Sequence, residues 1–275
     1  MEDYSRRNPD FEKQDIFTAV NHYLLLFFGL SCLLSSIFLQ AIFFTLGYYR
    51  VGISIAALIG IIAPIYFLAR RFPGGFCGQL RILRPNPALM FRVCVASLMM
   101  VVVIDHIYLL SQRIFPVPED FMQSLAALKP HGIVSFIITY LGLCIIVPFA
   151  EETLFRGLIQ QVFELNMNPI AAFTLAGILF GIVHISAHLL ITIALFGIFL
   201  GFIFFITGNM VYTAAAHAIF NTVSFLQLAF MPQELWDEPP FYTRHFWILV
   251  AAGVMLGFLL AGMKKGAHRA GAPKE

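Results

Sequence analysis

The stretch GIVSFIITYLGLCIIVPFAEETLFRG, residues Gly132–Gly157, starts as a nearly unbroken apolar run and ends in charge. Continued to Phe163 it is too long for one plain membrane span, which takes about 20 residues. It also carries Glu151, Glu152 and Arg156 directly after Pro148. A charged side chain inside a span costs at least about 2.5–3.5 kcal/mol on insertion scales. Three of them on one apolar run need either mutual neutralisation or a task.

The rest of the chain has the same character. Of its 275 residues, 60% are hydrophobic and 12% are charged, and 30 are phenylalanine. An ordinary soluble domain carries about 25% charged residues, so the solvent for most of this chain is lipid. We therefore expect an all-α, polytopic integral membrane protein of about eight transmembrane helices. The apolar runs lie near 20–46, 51–69, 92–111, 132–163, 169–187, 189–206, 210–230 and 245–262. Organisation follows: a polar tail over 1–19, transmembrane helices and a connector over 20–131, a core over 132–230, and a last span with a basic tail over 231–275. The connector around EDFMQSLAAL, flanked by Pro116, Pro118 and Pro130, predicts a short interfacial helix with an acidic first turn.

Charge and cysteine usage exclude several classes. The net charge is +2 and no basic stripe is interleaved with aromatics, so no nucleic-acid partner is expected. Cys32, Cys77, Cys94 and Cys144 are scattered without a CxxC, which argues against a zinc knuckle or a disulfide framework. The polar, mixed-charge N-terminus does not read as a secretory signal. Arg70, Arg71, Arg81, Arg84 and Arg92 fill one loop, and both tails are basic, whereas the loop 231–244 is acidic. The positive-inside rule then puts the arginine loop and both termini in the cytoplasm. We expect the membrane to be the plasma membrane of a prokaryote. Gly177/Gly181, Gly197/Gly201 and Gly253/Gly257 are small-residue pairs that predict close helix packing.

Glu152 and Arg156 are four apart, so they share a helix face and pair. Glu151 stands about 100° around the helix and has no helical partner of its own. One glutamate reads as structural and the other as free for chemistry. Pro148 leaves the carbonyl of Cys144 without a donor and bends the axis. The plain alternative is that the glutamates end a span at the headgroups.

FGIVH ends at His184, and HAIFN runs from His217 to Asn221. His217 and Asn221 project from one face. A hairpin turning at Met167–Asn168 brings Glu151 and His184 to similar depth, whereas simple up–down geometry leaves His217 offset from His184. Glutamate and histidine together activate water, and an imidazole with a carboxamide stabilises an oxyanion. Ser186 and Cys144 sit in no nucleophile motif. A metal is the chemical rival. His184 and His188 have helical ligand spacing, but Ile185 stands where H-E-x-x-H requires glutamate. Glu151, His184 and His217 would be an alternative ligand set.

EETLFR, FGIVH and HAIFN resemble the EExxxR, FxxxH and HxxxN motifs of the CAAX prenyl endopeptidase family, also called CPBP or ABI proteins. The resemblance spans about residues 132–225. It implies an intramembrane glutamic endopeptidase without cofactor or metal. Glu151 and His184 would activate water, His217 and Asn221 would stabilise the oxyanion, and Glu152 and Arg156 would organise the site. The implied partners are membrane lipid and a protein or peptide substrate, prenylated or not. Alternatives are a non-catalytic immunity or scaffold protein, a metal-dependent intramembrane protease, and a proton-coupled transporter. The transporter reading lacks internal pseudo-symmetry. One tension follows from the charge pattern: it places Glu151 nearer the far side of the membrane, whereas a peptidase cutting cytoplasmic tails needs the opposite.

Overall fold

A computed structural model describes residues 15–231 and 241–270, and every regular element among them is helical. The start of the polar tail, most of the acidic loop and the end of the basic tail lie outside the described residues. We number the main helices α1 His22–Thr45, α2 Tyr49–Ala69, α3 Pro87–Ser111, α4 Glu119–Leu128, α5 Ile133–Asn166, α6 Pro169–Ile182, α7 Ala187–Thr207, α8 Met210–Phe230 and α9 Phe246–Ala270. Large apolar side chains such as Phe27, Phe91, Trp247 and Phe258 point outward, as a lipid-facing surface requires.

Eight helices occupy the expected runs, but only six are long and apolar enough to cross a membrane: α1, α2, α3, α5, α7 and the first part of α9. The expectation of eight spans is not met by this criterion. Helix α6 has 14 residues, about 21 Å of rise, which is short of a bilayer core of about 30 Å. Helix α8 has the length but is diluted by His217, Asn221, Thr222 and Gln227. The two exceptions both border the polar cluster.

The helix ends gather at two faces. On the first, Asn21, Asn86, Asn168 and Asn209 each cap a helix N-terminus with a side-chain oxygen, and Pro87 and Pro169 occupy the first helical position behind two of them. The arginine loop closes this face. Arg81 O accepts from Met210 N at 3.0 Å, Asn209 Nδ2 donates to Leu83 O at 3.1 Å, and Gln161 Nε2 donates to Gln79 O at 3.2 Å. On the second face lies α4, with Glu119 and Asp120 in its first turn. Its C-terminal carbonyls are tied down by Tyr49 and Arg50. The hydroxyl donates to Ala127 O at 2.6 Å, and Arg50 Nη2 reaches Ala127 O and Lys129 O at 2.7 and 2.9 Å.

Glycines let α6 and α7 touch backbone to backbone. A Cβ on Gly177 would lie 2.4 Å from Ile198 N, and one on Gly197 would lie 2.8 Å from Gly177 O. Around Gly253 and Gly257 there is open space, so the third predicted pair packs nothing and is corrected. Adjacency in sequence could not reveal this, because the pair faces away from neighbouring helices. Gly177→Ala is expected to destabilise the fold by about 1–3 kcal/mol through overpacking. Gly253→Ala is expected to change stability by less than about 0.5 kcal/mol. Thermal unfolding in detergent separates the two.

Candidate active site

The site is built on α5, which is not a uniform helix. Two π-helical stretches, Leu141–Ile146 and Phe155–Gln160, flank the α-helical stretch Val147–Leu154 that carries both glutamates. Such segments concentrate at functional sites because they re-aim side chains. The first one moves the vacancy that Pro148 creates. In the π register a carbonyl finds its donor five residues on, and Val147 N–H bonds to Gly142 O. The group left without a donor is therefore Leu143 O, not the Cys144 carbonyl that α-helical counting predicts. Asn221 Nδ2 on α8 donates to Leu143 O at 2.8 Å. Asn221→Ala should thus cost about 1–3 kcal/mol by stranding a carbonyl. In a Pro148→Ala background, which restores a backbone donor, the same substitution should cost measurably less. A double-mutant cycle in chemical denaturation reads the coupling.

One turn beyond Pro148, Glu152 and Arg156 are fully buried. Arg156 Nη1 donates to Glu152 Oε1 at 2.9 Å and Nη2 to Gly197 O at 2.6 Å, while the guanidinium lies 4.9 Å over the Phe180 ring. One turn on, Gln160 Nε2 repeats the pattern at Gly201 O, 3.0 Å away. Residues 156 and 160 on α5 thus read carbonyls 197 and 201 on α7. Both carbonyls belong to glycines; at Gly201 an added Cβ would lie 3.0 Å from Gln160 Oε1, whereas at Gly197 the missing Cβ admits the α6 backbone. Glu152 Oε1 also accepts from His217 Nδ1 at 3.0 Å. Since a carboxylate accepts at Nδ1, that nitrogen carries the proton, and Nε2 is the nitrogen turned to the site.

Glu151 is differently placed. Its carboxylate is 22% exposed, and Oε2 lies 3.7 Å from His217 Nε2. One imidazole therefore spans both glutamates, fixed by Glu152 and facing Glu151. Phe180 and Phe196 hold the ring edge-on at centroid distances of 5.7 and 5.4 Å. His184 sits just past the end of α6, and its Nδ1 pairs with Phe180 O at 2.6 Å. A carbonyl only accepts, so Nδ1 is protonated and Nε2 presents its lone pair in the neutral ring. The Phe180 ring lies 4.9 Å from that of His184. Among the described residues no hydrogen bond or ion pair joins His184 to Glu151; the imidazole facing Glu151 is His217. The offset between His184 and His217 is bridged because α6 is short and Phe180 touches both rings.

The metal-ligand set Glu151, His184 and His217 does not converge, and among the described residues no three His, Cys, Asp or Glu side chains gather in ligand geometry. His188 points elsewhere: its Nδ1 is 3.0 Å from Ser186 Oγ and its ring packs on Phe121. Sequence reasoning missed the roles of Phe180, Gly197 and the Leu143 carbonyl. Phe180 was legible as the aromatic four residues before His184. The two backbone acceptors carry no side-chain signal.

Residues 133–223 match the family model described as type II CAAX prenyl endopeptidase Rce1-like. The match covers 91 of the 275 residues, so it is the core helices that are similar to this family. No curated protein and no solved structure matches the chain. The Rce1-like segment contains all six site residues and most of the helices α5 to α8 that present them. Together with six helices long and apolar enough to cross a membrane among the described residues, the match makes the chain similar to membrane-embedded endopeptidases of the CAAX protease type.

Proposed function

We propose that the chain hydrolyses a peptide bond within the membrane by water activation at Glu151. The observation that supports this most is the contrast between two adjacent glutamates. Glu152 is buried and engaged by Arg156 and His217, whereas Glu151 is part-exposed and, among the described residues, has no hydrogen-bond donor of its own. In this reading Glu151 takes a proton from the attacking water, assisted by the Nε2 lone pair of His184. The water oxygen bonds to the scissile carbonyl carbon, and the carbonyl oxygen becomes the oxyanion. His217, when protonated on both nitrogens, donates from Nε2 to that oxygen. The second amide hydrogen of Asn221, beyond the one held by Leu143 O, completes the pair of donors. The proton taken from water passes to the leaving amine as the C–N bond breaks. Glu152 and Arg156 orient His217 and do not touch substrate. The substrate is a protein or peptide near its C-terminus, prenylated or not.

The test is a cleavage assay on purified protein in liposomes, with a prenylated Cys-aliphatic-aliphatic-X peptide and its unprenylated form as probes. Wild type should cleave with and without chelator, and Glu151→Gln should not cleave in either condition. Loss of activity on chelation would instead support the metal-dependent alternative.

A further inference from the structure

We propose that the site draws its water and peptide from the membrane face opposite the arginine loop, so that its substrate is an extracytoplasmic segment of an exported or membrane protein rather than a cytoplasmic tail. The inference rests on the peptidase reading of the site and adds its sidedness.

Three observations carry it. The first is a gradient of burial around the carboxylates. Toward the arginine loop the site is sealed: Leu80, Leu158, Val162, Ile203, Met210 and Thr213 are each at most 1% exposed. Leu80 of that loop packs against Gly157, where an added Cβ would lie 2.9 Å from its Cδ2. Gln160 and Gln161, also buried, fill the polar positions with hydrogen bonds to backbone. Nothing water-sized passes between such close-packed groups. Toward the other face the lining opens. Glu151 keeps 22% of its side-chain surface, Asn221, Tyr140 and Thr222 are half-buried, and His184 is exposed.

The second is the cleft beside His184. The turn after α6 and the connector before α4 enclose about 490 Å³, walled by Phe115, Pro118, Phe121, Ile185, Ser186 and His188. Ile185 holds φ of 51°, a left-handed conformation unusual for a β-branched residue, and its side chain is 81% exposed at this wall. This cleft adjoins the proposed water-activating histidine through one peptide bond, and it belongs to the α4 face.

The third is charge. The sealed face carries Arg70, Arg71, Arg81, Arg84 and Arg92, and the sequence running on from both ends of the described bundle adds further Lys and Arg. Among the described residues the α4 face carries Arg50, Arg113, Lys129 and Arg244. The Lys/Arg excess in short loops marks the cytoplasmic side. The closed face is therefore cytoplasmic and the open one is not.

The native thiols provide the test. Cys77 is exposed in the arginine loop, and Cys32 and Cys144 are buried. Ser124 is exposed on α4. Two variants lacking Cys94 are compared in bacterial spheroplasts treated with a membrane-impermeant maleimide: one keeps Cys77, and the other carries Cys77→Ser with Ser124→Cys. The Ser124→Cys thiol should be labelled from outside at least 10-fold more than Cys77, an order-of-magnitude margin set by complete sidedness. Permeabilisation should bring both to full labelling. Protection of the Ser124→Cys thiol from outside, or equal labelling of the two, overturns the proposal. Labelling does not depend on turnover, so it reports sidedness even if Glu151→Gln retains cleavage and the peptidase reading fails.

Discussion

Glu151→Gln lowers the rate of peptide cleavage by about 10²–10⁴-fold, the range that general-base catalysis contributes. The substitution keeps shape and volume and removes only the ability to take a proton. Its structural cost should be small, within about 0.5 kcal/mol, because the Glu151 carboxylate is part-exposed and its nearest ionic neighbour, His217 Nε2, stands 3.7 Å away. The loss should therefore appear in kcat with unchanged thermal unfolding. Cleavage at the wild-type rate would remove Glu151 from the chemistry and favour the non-catalytic scaffold reading.

Arg156→Met has the opposite signature. It leaves Glu152, wholly buried and four residues away, without its ion-pair partner, and it strands the Gly197 carbonyl that Nη2 satisfies at 2.6 Å. Breaking a buried pair from one side costs about 3–5 kcal/mol, since a desolvated charge remains. The expected result is a large drop in the unfolding midpoint in detergent. Replacing both partners, Glu152→Gln with Arg156→Met, should recover much of the stability, because no lone charge is then buried. That double variant should still cleave poorly. His217 Nδ1 loses the carboxylate that orients it, and recovery of fold without recovery of rate marks Glu152 as a positioning residue. If the double variant were no more stable than Arg156→Met alone, the pair would not be the source of the loss. Taken together, the two substitutions separate the adjacent glutamates: one affects rate without stability, the other affects both.

Much of this division was legible in the chain. The i,i+4 spacing of Glu152 and Arg156 predicts their contact, because helical periodicity is local and lipid forbids leaving such charges apart. The Met167–Asn168 turn was legible from Asn168 and Pro169, which supply a cap and a first helical residue. The π register of α5 was not. It shifted the Pro148 vacancy from Cys144 to Leu143 and thereby redirected Asn221, and no side-chain pattern announces a one-residue change in backbone pairing. Gly253 and Gly257 show the same limit from the other side. Their spacing equals that of Gly177 and Gly181, but whether a small-residue stripe meets a partner depends on how the helix is rotated in the bundle.

By itself the sequence determined that the chain lives in lipid, that its charges concentrate on one long apolar run, and which two glutamates, two histidines and one asparagine stand out from it. These follow from composition and local spacing, which act over a few residues. The tertiary structure alone decided that His217, not His184, faces Glu151, that glycine carbonyls on α7 hold Arg156 and Gln160, and that the arginine-loop end is sealed while the α4 end is open. Those outcomes depend on side chains far apart in the chain meeting at fixed distances, which close packing between helices sets and sequence spacing does not encode.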